Sequence, residues 1–222
     1  MTEPDHVSAA RAVYDATADE YARHVGIEVS EEFEGPVDRA FLAAFVEFVG
    51  LRAGLVADVG CGPGRVAAWL TAYGLDVVGV DVSQAMLTVA QGAHPDIGFV
   101  EGCLSALPFE DASLVGAVCW YSIIHTPPEH LPEVFSEIQR VLSDGGQLLV
   151  AFQAGGGEAV HRADAYGTGH PLTHFRHCPG NVARSLVEAG LTPHAQAVRD
   201  PELGHESTPQ AFIVARNARP GR

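Results

Sequence analysis

The stretch Val56-Ala57-Asp58-Val59-Gly60-Cys61-Gly62-Pro63-Gly64-Arg65 constrains this chain more than any other. An apolar run, Leu55 to Val59, breaks into three glycines and then into the helix-compatible run Val66-Ala67-Ala68-Trp69-Leu70. Strand, tight glycine turn and helix make a ligand-binding unit. Glycines let a ligand approach the backbone, and a helix start offers free N–H groups. Downstream, Val77-Val78-Gly79-Val80 ends in Asp81, 23 residues after Asp58. An acidic residue at the tip of a second strand is placed to accept hydrogen bonds from ribose hydroxyls.

Two nucleotide-ligand patterns compete for these residues. The dinucleotide fingerprint requires G-x-G-x-x-G, but from Gly60 the chain reads G-C-G-P-G-R, with Arg65 where the third glycine belongs. With Asp58 in front the pattern is D-x-G-x-G-x-G, which resembles motif I of the class I S-adenosylmethionine (SAM) methyltransferases, in their small-molecule, type 11-like branch. The resemblance covers roughly residues 10 to 152 and implies a Rossmann-like core.

The remaining family motifs are present with departures. Tyr14-Asp15-Ala16-Thr17-Ala18-Asp19-Glu20-Tyr21 resembles the Y-D-x-x-A-x-x-Y entry helix that folds over the SAM pocket. Gly102-Cys103-Leu104-Ser105-Ala106-Leu107-Pro108-Phe109 stands where the family reads G-D-A-x-x-L-P-F, so Cys103 replaces an aspartate that accepts from the adenine amino group. A thiol is a weak acceptor, and adenine recognition then leans on packing and the Leu104 N–H. The F-D-x-V motif appears as Leu114-Val115-Gly116-Ala117-Val118, again without its aspartate.

The resemblance implies a set of roles. Gly60, Cys61, Gly62 and Gly64 wrap the methionine part of SAM, with backbone N–H groups near its carboxylate. Asp58 lies under the amino end, Asp81 holds the ribose hydroxyls and Val82 touches the adenine. Tyr21, and with it Tyr14, reaches the methionine end. Trp120 and Tyr121 lie near the sulfonium, since strand C-terminal ends face the ligand crevice. His125 resembles a histidine found just past the fourth strand, where an ordinary imidazole pKa of about 6.5 suits removal of a hydroxyl proton. His170 and His174 are competing bases, and Tyr121 is a candidate positioning hydroxyl.

Composition narrows the alternatives. All 13 basic residues are arginine. Without lysine there is no Schiff-base nucleophile and no Walker-type phosphate cradle. A formal charge of −15 argues against nucleic-acid and anionic-membrane partners, which need a basic footprint. Cys61, Cys103, Cys119 and Cys178 form no C-x-x-C pair, and the N-terminus carries Glu3 and Asp5 rather than an apolar signal region. These features read as a cytoplasmic protein with reduced thiols. The expected partner is a small-molecule acceptor, and the expected assembly a monomer or homodimer. His161, His170, His174, His177 and Cys178 lack a standard zinc spacing, and no metal is expected.

Hydrophobic periodicity orders the elements. Helices are expected over residues 5–25 and 36–49, the second with Phe41, Phe45 and Phe48 on one core-facing stripe. Strand 55–59, helix 64–73, strand 76–80, a helix from the N-cap Ser83 to Ala93, strand 97–101, strand 114–123, helix 129–142 and strand 147–152 follow. Residues 153–178 show no period and read as a lid or substrate loop. A helix at 179–189 and strands near 191–198 and 211–216 close the chain. The expectation is one α/β domain with a seven-stranded, mostly parallel, doubly wound sheet whose last strand is antiparallel. Residues 1–50 form a helical cap, 51–152 the SAM-binding core, and 153–222 the lid, acceptor region and closing strands.

Overall fold

Parallel strands covered on both faces carry apolar residues at consecutive positions, and β4 (Leu114–Trp120) is buried at every one. In the computed structural model, which describes residues 4–50 and 52–218, it lies mid-sheet. The sheet runs β3-β2-β1-β4-β5-β9-β8, from β1 (Leu55–Val59), β2 (Asp76–Asp81), β3 (Gly98–Glu101), β5 (Leu142–Gln153), β8 (Leu191–Arg199) and β9 (Gln210–Asn217). β9 pairs antiparallel with β5 and β8, and the other pairings are parallel.

Side-chain parity divides the core. Ala57, Val59, Ala117, Cys119, Leu148, Val150 and Ile213 face α5 (Leu131–Val141) and α6 (Pro179–Glu188). Val56, Val118, Trp120, Leu149 and Phe212 face α2 (Pro36–Val49) and α3 (Arg65–Ala72). Strand order reverses between β1 and β4, and a doubly wound sheet opens its ligand crevice at the carboxyl ends of such a pair.

Four expectations change. The strand foreseen at 114–123 stops at Trp120, because Tyr121 turns left-handed (φ 57°) and a 3-10 turn, Ile123–His125, follows. Helix α5 begins at Leu131, after a separate 3-10 turn at Pro128–His130. The apparent loop 153–178 contains an antiparallel hairpin, β6 (Glu158–Arg162) with β7 (Leu172–Arg176). Its strands, Glu-Ala-Val-His-Arg and Leu-Thr-His-Phe-Arg, mix apolar and basic residues on both faces, so hydrophobic period gave no sign of them. The phenylalanine stripe of α2 is also split. Phe45 is fully buried, Phe41 stacks on Phe212, and Phe48 is 43% exposed against His194. The face that α2 buries runs through Leu42, Phe45 and Val49.

One buried ionic knot ties the cap to the closing strands. Arg199, at the end of β8, forks onto Asp38 of α2 (Nη2–Oδ2 2.8 Å) and onto Glu206 (Nη2–Oε1 2.5 Å). Burial pushes the Glu206 carboxyl up, but the Arg199 hydrogen bonds and the N–H groups of Glu202 and Leu203 outweigh it and hold the pKa down, at about 2. That contribution is complete above the ordinary glutamate range and is lost as pH falls from there through about 2. Arg199→Ala strands two neighbouring buried carboxylates, so we expect a loss of about 3–5 kcal/mol in urea unfolding at pH 7. Those carboxylates then take up protons in the folded state, so the gap to wild type narrows as the pH is lowered.

Candidate active site

Three glycines make the turn after β1, each with positive φ (77°, 52° and 85° at Gly60, Gly62 and Gly64). They do different work. A Cβ on Gly60 would stand 2.2 Å from Ser122 Cβ, so this glycine lets the turn pass against the chain leaving β4. A Cβ on Gly64 would crowd His94, Phe99 and Ala90, and Gly64 does not line the cavity. At Gly62 a Cβ would meet nothing within 4 Å, and this glycine opens to the cavity.

The turn's amides are already engaged. Gly60 and Cys61 N–H donate to Val80 O, Gly64 N–H to Cys61 O, and Gly62 N–H to Asp81 Oδ2 at 2.8 Å. Each of these N–H groups thus already has a partner within the turn or at the tip of β2. The glycines supply backbone approach and shape. Asp81 also accepts from Ser83 N–H at 2.9 Å, which aims its carboxylate at the turn; it lines the cavity beside Val82.

Asp58 lies beneath, 1% exposed and outside the cavity lining. Its Oδ2 accepts from Ala67 N–H at 2.9 Å, and its Oδ1 is buried without a partner among the described residues. Burial pushes its pKa up to about 7. Cys61 is buried as well and does not line the cavity.

Above the crevice lies α1 (Asp5–Val25), held by polar contacts at its middle. Asp15 Oδ1 accepts from Ser83 Oγ (2.7 Å) and Ala85 N–H (3.2 Å) at the start of α4 (Gln84–Ala93), where Ser83 is the N-cap. Arg11 reaches Val82 O and Glu101. So fixed, α1 presents Val7, Ala10, Tyr14, Tyr21 and Val25 to a cavity of about 450 Å³. Gly60, Gly62, Asp81, Val82, Cys103 and Leu104 line one part of it, and Trp120, Tyr121, His125 and His174 also border it.

Tyr14 and Tyr21 meet edge to face (centroids 5.6 Å apart), and Tyr14 Oη lies 2.8 Å from His125 Nε2. His125 Nδ1 is 3.0 Å from the carbonyl oxygen of Thr173. A carbonyl only accepts, so Nδ1 carries the proton, and Nε2 accepts from Tyr14. Burial, outweighing the Thr173 bond, lowers the His125 pKa to about 4. This corrects the expectation of an ordinary imidazole near 6.5: His125 is neutral and already hydrogen-bonded through both nitrogens. Tyr121 Oη donates to Asp38 Oδ1 (3.3 Å), so the positioning hydroxyl is tethered to the ionic knot.

Other expected residues separate. His170 is exposed beyond the cavity lining, and His161 bonds Thr173 Oγ1 at the surface. His177 is buried against Ile123 O. Among the described residues no group of three or more His, Cys, Asp or Glu is placed to hold a metal ion. Sequence reading missed Tyr166, at the hairpin tip with φ 55°, which packs on Tyr21 (centroids 6.0 Å apart). It also missed Arg65, whose guanidinium pairs with the buried Glu34 at 2.6 Å. The non-glycine at that position was the available signal for Arg65. Tyr166 had none, since its approach depends on the hairpin.

A neutral His125 has a measurable signature. Between about pH 6.5 and 4 the unfolded imidazole binds a proton that the folded one refuses, so stability falls as pH drops through that window. We expect a ring NMR titration with its midpoint near 4 and a flatter stability profile in His125→Asn. A midpoint near the ordinary value of about 6.5 would contradict the buried neutral ring.

Residues 56–146 match a family model described as a methyltransferase domain. Among similar curated proteins is a malonyl-[acyl-carrier protein] O-methyltransferase of Erwinia billingiae, 36% identical over 110 residues, which are 50% of this chain and 42% of that protein. The chain spans less than half the length of the first curated relatives it matches. Among solved structures, the 1,6-didemethyltoxoflavin-N1-methyltransferase of Burkholderia thailandensis superposes with a TM-score of 0.72 at 20% identity, covering 99% of this chain and 92% of that one. The [4+2]-cyclase SpnF superposes at 0.70 with 19% identity, covering 94% and 95%. These likenesses show the fold of the SAM-dependent methyltransferases, and residues 56–146 are what matches the methyltransferase domain model.

Proposed function

We propose that the chain transfers a methyl group from SAM to a small-molecule acceptor and releases S-adenosylhomocysteine. The observation that carries this is one cavity bordered both by the nucleoside-type elements, Gly60, Gly62, Asp81 and Val82, and by the aromatic group Tyr14, Tyr21, Trp120 and Tyr121. The residues fit the cofactor. The space over Gly62 is open, with no atom within 4 Å of where a Cβ would stand. Asp81 keeps acceptor capacity beyond its two backbone bonds. Trp120 Nε1, on the cavity wall, is buried without a partner among the described residues. When bound, SAM supplies a methyl group activated by positive sulfur.

The chain's own work is positioning. Alignment of a nucleophile at about 3–3.5 Å accounts for much of such a rate. Asp81 and Val82 would hold the ribose and adenine, and Tyr14, Tyr21 and Trp120 would border the methionine end. O-methylation is our preferred finer reading over N- or C-methylation, supported by the Tyr14–His125 pair. Tyr14 donates to His125 and so offers an oxygen lone pair to an acceptor hydroxyl, with His125 receiving the proton through Tyr14. We further read the chain as a single cytoplasmic domain, capped by residues 1–50 and closed by 153–222, working as a monomer or homodimer.

A second reading is non-methyl chemistry on the same fold, favoured by the low basicity of His125 and by the likeness to a protein named as a cyclase. Chromatographic detection of S-adenosylhomocysteine after turnover separates the two, since the second reading yields none. By calorimetry SAM should bind, and Asp81→Ala should weaken it roughly 10- to 100-fold, the value of a hydrogen bond to a charged group. Unchanged affinity would remove the ribose assignment. With a hydroxyl acceptor, Tyr14→Phe and His125→Ala should each lower kcat by about 10²–10⁴-fold. Full rate in both would leave proximity as the whole mechanism.

A further inference from the structure

The β6–β7 hairpin gives the cavity a wall of distinct chemistry. In its register Glu158 pairs with Arg176, Val160 with His174 and Arg162 with Leu172. Alternate residues of a strand share a face, and directly opposed residues lie on the same side. One face therefore carries Glu158, Val160, Arg162, Leu172, His174 and Arg176, and all of them except Glu158 line the cavity. This protein has 28 acidic residues against 13 basic ones, yet this wall presents two guanidiniums and an imidazole.

The two guanidiniums are not spent on carboxylates. Among the described residues neither Arg162 nor Arg176 makes an ion pair, although five other arginines do. Arg176 Nε is buried without a partner, and the only hydrogen bond of its guanidinium among the described residues is a long one from Nη2 to Ser207 Oγ, 3.5 Å. A buried N–H donor left unmatched marks a place where a ligand atom completes the bonding. The acidic groups nearby are otherwise engaged. Glu158, at the hairpin base, accepts from Gly156 N–H, and Glu206 is held by Arg199. Burial first, and then the charges of Arg162 and Arg176, disfavour the protonated form of His174.

We propose that this face is an oxyanion subsite: Arg162, His174 and Arg176 hold a carboxylate or phosphate borne by the acceptor. A guanidinium fork matches either group through paired N–H donors. The inference deepens the methyltransferase reading and rests on it only in taking the ligand to be the acceptor.

The test uses benzoate and phenyl phosphate as anionic probes and benzyl alcohol as the neutral control, at constant ionic strength set with chloride. Each is titrated into the protein with and without S-adenosylhomocysteine. The readout is the ring resonances of His174, assigned through His174→Gln. At least one anion should shift them saturably while the alcohol does not, and Arg162→Gln and Arg176→Gln should each weaken that anion about tenfold or more. Response to benzoate alone assigns a carboxylate, and response to phenyl phosphate alone a phosphate. Absence of saturable binding by either anion, or binding unchanged in both variants, overturns the subsite. S-adenosylhomocysteine affinity, measured separately, should be unchanged in both variants. If the wild type fails to bind S-adenosylhomocysteine but binds the anion, the methyltransferase reading falls and the oxyanion wall stands.

Discussion

The Asp81 carboxylate fastens two segments that the site requires to be adjacent. One oxygen takes the Gly62 amide and the other the Ser83 amide, so the turn after β1 is pinned to the tip of β2. Two further amides of that turn close on Val80 O. The turn is thus saturated internally, and its left-handed glycines are what permit the closure. The same arrangement lets the turn pass Ser122 at a distance no side chain would tolerate, which brings the β1 and β4 ends to one crevice. Ser83, next to Asp81, then caps α4 and receives Asp15 from α1. The placement of the helical cover follows from the same corner.

A second organising device is ionic. The Asp38–Arg199–Glu206 knot is buried and links α2, β8 and the segment leading to β9. Tyr121 donates to Asp38 from a left-handed backbone position, a conformation that costs a non-glycine residue and persists only when its surroundings impose it. Next to it, His125 is set by Thr173 of the hairpin and by Tyr14 of the cover helix. Two elements distant from it in the chain therefore determine one imidazole, and burial rather than any charged neighbour is the main reason it stays neutral.

Much of the core was legible because its signals are local. A glycine run after an apolar strand, an acid at the next strand tip and a serine before a helix each act through neighbours a few residues away. Legibility stopped where the signal was a contact between distant segments. The engagement of the turn amides could not be read from the glycines, since their partners are Val80 and Asp81. The exclusion of Gly64 and Cys61 from the cavity followed from helix–sheet packing. The hairpin was invisible because its cavity-facing row mixes Val160 and Leu172 with Arg162, His174 and Arg176, which breaks the apolar alternation that reveals a strand.

From sequence alone came the succession of strands and helices through the first half of the sheet, the position of the glycine turn, the acid at Asp81 and the exclusion of lysine chemistry. These depend on backbone conformational preference and on residue inventory, which are properties of short segments. Tertiary structure alone decided that Tyr14 meets His125, that His170 lies outside the cavity while His174 lines it, and that Arg162 and Arg176 share its wall. Strand register makes that last choice, because a shift of one residue would turn the whole row to the opposite face.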